Sequence, residues 1–209
     1  MPGTRRKTGR IIRVFSDGWV RLDGRWLPVA LGKGGVRADK REGDGATPTG
    51  LFPVRRLMRR ADGRTGQMPA KTRLPVSAIL ASHGWCDAPD HAAYNRPVRH
   101  PFAPSHERMR RTDALYDLVL AIGHNDAPPV PGRGSAVFIH LAQPDFAGTE
   151  GCIALQRPDF QWMLSRLRPG DCFLISRQPA FAHRKSPTRP GPTWRQSALP
   201  VRNRRSSPC

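Results

Sequence analysis

Short apolar runs separated by Asp-Gly pairs fill the N-terminal part of the chain. The runs at residues 11–15, 19–22 and 25–31 are divided by Asp17-Gly18 and Asp23-Gly24. Asp-Gly pairs favour the tight turns of β-hairpins, because those turns need positive φ angles. The pattern therefore predicts a β-meander at the start of the chain.

Later runs predict further strands and one clear helix. Strands are predicted at residues 115–122, 135–140 and 171–176, the last with Cys172 as a buried core thiol. A helix is predicted after Pro158, because four apolar residues are spaced as on one face of a helix: Phe160, Met163, Leu164 and Leu167. A second short helix is predicted over residues 107–111, after Ser105 as a capping residue. Residues 74–100 are predicted to be irregular.

The chain length and these elements suit one mainly β domain with one or two short helices. We place that domain at residues 9–177 of the 209. Residues 1–8 form a basic extension. Residues 178–209 are rich in Pro, Arg and Ser and are predicted to be a disordered basic tail, because they cannot bury enough apolar surface to offset the entropy of ordering.

The net charge of +19 would favour a nucleic acid or another polyanion as partner if it were spread over the domain. Five basic residues instead lie in residues 1–13 and eight in residues 177–209, with no acidic residue in either segment. The intervening chain holds 22 basic and 16 acidic residues. We therefore expect no specific nucleic-acid partner, although a non-catalytic polyanion-binding protein remains an alternative.

Targeting and metal-binding signals are weak. No apolar run reaches the roughly 18 residues of a membrane span. The basic N-terminus lacks the apolar segment of a signal peptide, because Arg13 directly follows Ile11-Ile12. On this reading the protein would be cytoplasmic. The four cysteines show neither a CxxC pair nor zinc-like spacing, so we expect neither a disulfide framework nor a metal.

The candidate chemistry lies where one apolar run ends at His140 and another begins after Gly151-Cys152. A cysteine becomes a nucleophile when a nearby base or positive field favours its thiolate, and histidine is the usual base. The N–H groups of Gly151 and Cys152 could bind a developing oxyanion. A buried structural cysteine and a hydrogen-bonded strand histidine are the alternative interpretation.

Three stretches together resemble the L,D-transpeptidase catalytic-domain family, the YkuD-type domain. They are residues 43–53 (GDGATPTGLFP), residues 132–140 (GRGSAVFIH) and the Gly151-Cys152 pair. The family typically shows a Gly-Asp-x-x-Thr-Pro-x-Gly element, a strand ending in histidine and a Ser/Thr-His-Gly-Cys motif. The first two match well and the third is altered. The likeness spans roughly residues 9–177.

The resemblance implies a β-sandwich-like fold with Cys152 as nucleophile and His140 as general base in one cleft, without a metal or organic cofactor. It implies attack on the carbonyl between the third and fourth residues of a peptidoglycan stem tetrapeptide, with release of D-alanine. The acyl group then passes to an amine, giving a 3→3 cross-link, or to water. Inhibition by carbapenem β-lactams and a place in the cell envelope or periplasm follow from the same resemblance.

Glu150 is the main departure from the family pattern, because it stands where the motif has histidine. An unpaired carboxylate there would raise the pKa of the Cys152 thiol. We therefore expect Glu150 to be paired with an arginine, or directed at a histidine or the substrate amine. The change is interpreted as a divergence in substrate handling.

Further residues are weaker candidates. Ser82-His83-Gly84-Trp85-Cys86 looks like the cysteine motif with one residue inserted, but the insertion removes the Gly-Cys geometry, so Cys86 is not the expected nucleophile. Seven other residues are assigned substrate contacts, each with a structural role as the alternative: Trp85, Tyr94, Asn95, His124, Asn125, Arg133 and Thr149.

Two enzymatic interpretations stay open. One is the transpeptidase, and the other is a cysteine peptidase or amidase that uses water as acceptor on cell-wall peptides. The histidine precedes the cysteine in this chain, whereas papain-like hydrolases have the opposite order. That order favours the transpeptidase, although unrelated folds can reach the same site geometry.

Overall fold

The computed structural model describes residues 9–62 and 72–180. Within them lie fourteen strands and one α-helix. The strands are β1 (Ile11–Phe15), β2 (Trp19–Leu22), β3 (Arg25–Pro28), β4 (Val36–Arg37), β5 (Thr47–Pro48), β6 (Gly50–Arg60), β7 (Val76–Ile79), β8 (His83–Cys86), β9 (Pro97–Arg99), β10 (His106–Arg108), β11 (Leu118–Ile122), β12 (Phe138–Leu141), β13 (Ile153–Leu155) and β14 (Cys172–Ile175). The helix is α1 (Arg157–Arg166).

Nine of the strands form a sheet that curls into a nearly closed sandwich. Its order is β13-β12-β11-β6-β14-β1-β2-β3, with β7 also paired to β6. The long strand β6 serves both halves, because its first residues pair with β14 and its later residues pair with β11 and β7. Reciprocal backbone hydrogen bonds between Ala30 and Ala154, each 2.8 Å, bring the two ends of the sheet together.

The interior of the sandwich is apolar. Alternate residues of the strands point into it, as the period of two predicts. Inward residues such as Leu27, Leu120, Ile139 and Phe173 have no exposed surface. Helix α1 packs against this core with three fully buried residues, Phe160, Met163 and Leu164, and Leu167 just after the helix is also fully buried.

A smaller sheet covers the outer face of β11 and β12. It has the order β10-β8-β9. Between the two sheets lies a second buried cluster, here called the outer cluster: Met58, Ile79, Trp85, Met109, Tyr116, Val119, Ala121, Phe138 and Cys152. Cys152 therefore lies outside the main core, under the small sheet.

Several predictions from the sequence are confirmed. The β-meander forms β1, β2 and β3, with antiparallel pairing at both turns. The class is mainly β and sandwich-like, with one helix in the described residues. Helix α1 has Pro158 in its first turn and buries the four residues that the helical spacing selected.

Other predictions are wrong. The stretch expected to be a helix at residues 107–111 begins in strand β10, because His106, Glu107 and Arg108 pair with β8. Residues 74–100 are not irregular, since they contain β7, β8 and β9. Cys172 is only partly buried, because its position in β14 places the side chain on the outer surface while Phe173 points inward.

The predicted N-terminal extension and residues 181–209 of the predicted tail lie outside the described residues. At the start of that tail, the carbonyl of Gln178 accepts a hydrogen bond from Ser16, and the N–H of Ala180 donates to the Asp17 carboxylate. Among the described helical residues, none form a segment long and apolar enough to cross a bilayer.

Candidate active site

The turn before β13 brings Gly151 and Cys152 against the residue 43–50 element. Gly151 has a φ of +127°, which L side chains rarely adopt, and a Cβ there would lie 2.8 Å from the Ala46 carbonyl oxygen. Only glycine fits this position. The glycine before the cysteine therefore follows from close contact with a loop about a hundred residues earlier in the chain.

Two threonines fix this turn. The Thr149 hydroxyl donates to the Cys152 carbonyl at 2.7 Å and accepts from the Gly151 N–H at 3.2 Å. The Thr47 hydroxyl accepts from the Gly32 N–H at 2.8 Å and lies 3.4 Å from the same Cys152 carbonyl. The Thr-Pro element thus positions the cysteine backbone. Thr149 binds the backbone here and serves the shape of the turn.

The Cys152 thiol is buried among backbone groups. It donates to the Ala136 carbonyl at 3.2 Å and accepts from the Phe138 N–H at 3.3 Å. The residue is 8% exposed. Burial raises the pKa of the thiol to about 12, against the lowering effect of the Phe138 N–H. Burial therefore favours the protonated thiol over the thiolate in this state.

His140 shares the face of β12 that carries Phe138, because residues two apart on a strand point to the same side. Its Nδ1 donates a hydrogen bond to the Leu141 carbonyl at 2.8 Å. Because a carbonyl can only accept, the ring proton lies on Nδ1 and Nε2 is the basic nitrogen. Burial lowers the pKa of the imidazole to about 4. Both His140 and Cys152 are thus neutral at rest, and their hydrogen bonds go to the backbone.

Tyr116 joins the two groups. Its ring makes an edge contact with His140 at a centroid distance of 5.2 Å and another with Phe138 at 6.3 Å. Its hydroxyl acts on the Cys152 thiol and on the Glu107 carboxyl, and lowers the pKa of both. Burial raises the pKa of Glu107, which Arg111 opposes through an ion pair at 3.1 Å. Tyr116 thus lies between the imidazole and the thiol, which bond to the backbone and not to each other.

Glu150 points away from the thiol. Its carboxylate pairs with the Lys33 ammonium at 2.6 Å, and the side chains are 77% and 64% exposed. The expected pairing exists, but the partner is a lysine. Because both charges are solvated, the Glu150 carboxylate has little influence on the buried sulfur.

A groove of about 460 Å³ borders the outer cluster at Trp85, Ala121 and Phe138, and its lining includes neither Cys152 nor His140. Trp85, Asn95 and His124 line it, as do Val137 and Phe138. Trp85 contacts the Phe138 ring at 5.0 Å and donates from its indole nitrogen to Asn95 at 2.8 Å. Three arginines, Arg55, Arg56 and Arg96, also line the groove, against the single carboxylate of Asp126.

The other predicted contact residues have mainly structural surroundings. Tyr94 is buried and donates to Glu42 at 2.5 Å, and burial raises the pKa of its hydroxyl. The Asn125 side chain bonds to the backbone of Val130 and Gly134 and so holds a loop. His124 bonds to the Arg133 carbonyl, while the residue Arg133 itself is exposed. Cys86 is fully buried in β8.

Sequence reasoning missed two residues of the site. Tyr116 lies just before β11, and its role depends on contacts across strands that no local pattern encodes. Lys40 is 6% exposed, and its ammonium lies close to Gly151. The signal that the sequence offered for Lys40 was its position, three residues before the 43–53 element that resembles the family pattern. In the described residues, no cluster of three or more His, Cys, Asp or Glu residues could hold a metal.

The family model for the L,D-transpeptidase catalytic domain, YkuD, matches residues 4–175. The chain belongs to the L,D-transpeptidase catalytic-domain family. Solved L,D-transpeptidases of this kind include one from Mycobacterium smegmatis, with 16% identity, a TM-score of 0.35 and coverage of 79% of this chain and 58% of that one. L,D-transpeptidase 1 from Mycobacterium tuberculosis shows 15% identity, a TM-score of 0.35 and coverage of 80% and 61%.

This L,D-transpeptidase-family chain thus spans about three-fifths of the length of the solved structures that it matches. No curated protein matches it at a significant level.

Proposed function

We propose that this protein is a peptidoglycan L,D-transpeptidase that acts through a Cys152 acyl-enzyme on stem tetrapeptides. The observation that carries the proposal is the placement of Tyr116, which contacts the His140 imidazole and acts on the Cys152 thiol. Membership of the family supports the reaction class. A place in the cell envelope or periplasm is part of the proposal, because the substrate lies there.

The reaction starts from a neutral thiol and a neutral imidazole. Nε2 of His140 takes the thiol proton while the sulfur of Cys152 attacks the carbonyl carbon after the third stem residue. The imidazolium then gives that proton to the departing nitrogen, and D-alanine leaves. An amine or a water attacks the thioester in the second half, with His140 again as base, and the thiol is regenerated.

The oxyanion that forms during attack needs donors near the sulfur. We assign this role to the N–H groups of Cys152 and Gly151. In the resting structure the Gly151 N–H bonds to the Thr149 hydroxyl at 3.2 Å, a long contact. That bond is exchanged for the oxyanion as the acyl carbon becomes tetrahedral.

The groove fits a substrate rich in carboxylates. Stem peptides carry several of them, and guanidinium groups bind carboxylates through paired hydrogen bonds. Arg55 is already bonded to Asp126 through two contacts at 2.8 and 3.1 Å. We therefore assign carboxylate binding to Arg56 and Arg96, with the donor peptide lying along Trp85 and Phe138.

Product analysis tests the proposal directly. The full-length protein is incubated with disaccharide-tetrapeptides, and the muropeptides are separated and identified by mass spectrometry. Loss of one D-alanine with formation of 3→3 dimers is the expected result. Tripeptides alone would assign water as acceptor and the hydrolase alternative. An unchanged muropeptide profile would overturn the proposal and leave a binding protein.

A covalent probe gives an independent readout. A carbapenem should acylate Cys152 and add its intact mass once per chain, since the strained β-lactam carbonyl replaces the peptide carbonyl. Cys152→Ser should carry no such adduct. An adduct located by peptide mapping on Cys86 or Cys172 instead would contradict the assignment.

A further inference from the structure

A buried lysine lies beside the nucleophile turn. The Lys40 side chain is 7% exposed, pairs with Asp44 and donates to the Arg41 carbonyl at 2.8 Å. Its Nζ lies 3.5 Å from the position that a Cβ on Gly151 would take. Lysine is almost never fully buried unless it is paired. The fold therefore holds a cation in fixed contact with the Gly-Cys pair.

Asp44 fixes the position of the Lys40 ammonium. Its carboxylate also accepts hydrogen bonds from the N–H groups of Arg41 and Ala46, each at 2.9 Å. Burial acts to raise the pKa of Asp44, but Lys40 and these bonds outweigh it and lower the pKa. The carboxylate is therefore ionised and held by the loop backbone, and the ammonium that it pairs with lies against Gly151.

The Lys40 charge acts on the buried sulfur. Burial is the largest influence on the pKa of Cys152 and raises it, and the Glu107 carboxylate raises it further. Lys40 lowers it through its charge, and Tyr116 lowers it through a hydrogen bond. Glu150, which occupies the histidine position of the family motif, is exposed and bound to Lys33.

We propose that Lys40, held by Asp44, is a positioning residue whose positive charge stabilises the negative charge that develops on Cys152 as its proton moves to His140. Lys40 thus supplies the positive charge that an imidazole would supply in the family motif, where histidine stands two positions before the nucleophile. The identity of the catalysed reaction rests on the proposed function, whereas the ionisation of the thiol is measurable without any cell-wall substrate.

Other ionisable groups face this cluster from each element packed around it. They are Glu107 from β10, Arg111, Asp113 and Tyr116 from the segment before β11, His140 from β12, His124 after β11, Lys40 and Asp44 from the loop after β4, and Glu150 with Lys33 on the solvent side. A variant of Lys40 changes one charge among them and leaves the rest in place.

The test is the pH dependence of alkylation by iodoacetamide. The thiolate sulfur displaces iodide and forms a thioether, while the proton goes to His140 or solvent. The rate at Cys152 is followed in the full-length protein by peptide mass spectrometry, which separates it from the other cysteines. Lys40→Met should shift the profile to higher pH and slow alkylation at pH 8 by about tenfold, which corresponds to about one pKa unit.

The chain offers matched controls. Lys33→Met removes an exposed ammonium on the same side of the turn and should change the rate less than twofold. Lys40→Gln keeps a polar side chain that can bond to Asp44 and to the Arg41 carbonyl but removes the charge, so it should slow alkylation as Lys40→Met does. Lys40→Arg retains a cation and should recover at least part of the rate.

Three outcomes would overturn the proposal: a Lys40→Met profile that matches the wild type, equal slowing by Lys33→Met, or a Lys40→Gln profile that matches the wild type. The Lys40→Gln variant keeps the test decisive even if Lys40→Met does not fold, which thermal melting would reveal. If alkylation of Cys152 depends on Lys40 but the muropeptide profile is unchanged, the proposed function is rejected and this inference stands. If the protein forms cross-links but alkylation of Cys152 does not depend on Lys40, the proposed function stands and this inference is rejected.

Discussion

Strands β11 and β12 present two faces of contrasting chemistry. One face carries Leu118, Leu120 and Ile139, which have no exposed surface and pack into the apolar interior. The other carries Phe138 and His140 and meets the ionisable groups under the small sheet. The alternation of side chains along one strand thus separates the stabilising core from the outer cluster that contains Cys152. Polar chemistry can therefore change on one face without disturbing packing on the other.

Removing the sulfur should have the largest effect. Cys152→Ala should abolish D-alanine release, a loss of at least about 10³-fold, because no covalent intermediate can form. The melting temperature should move little, since the alanine still fits the outer cluster. Cys86→Ala, which alters the fully buried cysteine of β8, is the matched control and should remain active. D-alanine release by the Cys152 variant would place the nucleophile elsewhere.

A substitution on the inner face of β12 should lower the stability of the protein and leave the reactivity of the thiol unchanged. Ile139→Ala leaves a cavity in the main core and should lower the free energy of unfolding by about 2–5 kcal/mol in urea denaturation. The rate of Cys152 alkylation per folded molecule should stay near the wild-type value. Leu51→Ala on the outer surface, where the side chain is 54% exposed, should cost less than about 0.5 kcal/mol. Equal costs at both positions would contradict this placement of the core.

The outer face should make stability dependent on pH. Burial lowers the pKa of both His140 and His124 from 6.5 to about 4. Between those values the unfolded chain binds more protons, so the free energy of unfolding should fall as the pH drops from about 6.5 to 4. Each histidine contributes on the order of 1–3 kcal/mol to this fall.

The histidine contribution can be isolated by substitution. His140→Gln and His124→Gln should each flatten the pH dependence of unfolding, measured by urea denaturation at pH 4.5 and 7. An unchanged slope in both variants would mean that these imidazoles are as easily protonated when folded as when unfolded. Ile139→Ala should lower stability equally at both pH values, because it carries no proton.

The smallest expected effect concerns Glu150. Because its carboxylate is solvated and bound to Lys33, Glu150→Gln should shift the pH profile of Cys152 alkylation only slightly, by less than about twofold in rate. High salt should erase what difference there is. A tenfold effect would show that this carboxylate reaches the thiol after all.

The sequence predicted the parts of this molecule that local rules control. Short apolar runs separated by Asp-Gly pairs predicted β1 to β3, and the helical spacing of apolar residues predicted the buried face of α1. Strand β10 was missed because its charged residues suit a helix equally well, and only pairing with β8 decides between them. The assignment of Cys152 and His140 as the catalytic pair, made from the residue pattern and the family resemblance, stays a prediction.

The environment of the candidate site could not be predicted in the same way. That the thiol is buried depends on a cover supplied by the small sheet, which is far from Cys152 in sequence. Tyr116 and Lys40 reach the site from separate loops. Each of these facts depends on which distant segments meet in the fold. No local pattern in the sequence shows those contacts.

The support of the Gly151 turn by residues 44–47 has a consequence for biogenesis. The Thr47 hydroxyl reaches the Cys152 carbonyl across 105 positions of chain. The turn can take its shape only after both halves of the sandwich have come together. A partly synthesised or partly folded chain therefore has an exposed Cys152, and the buried, backbone-bonded setting of its thiol arises last, when assembly is complete.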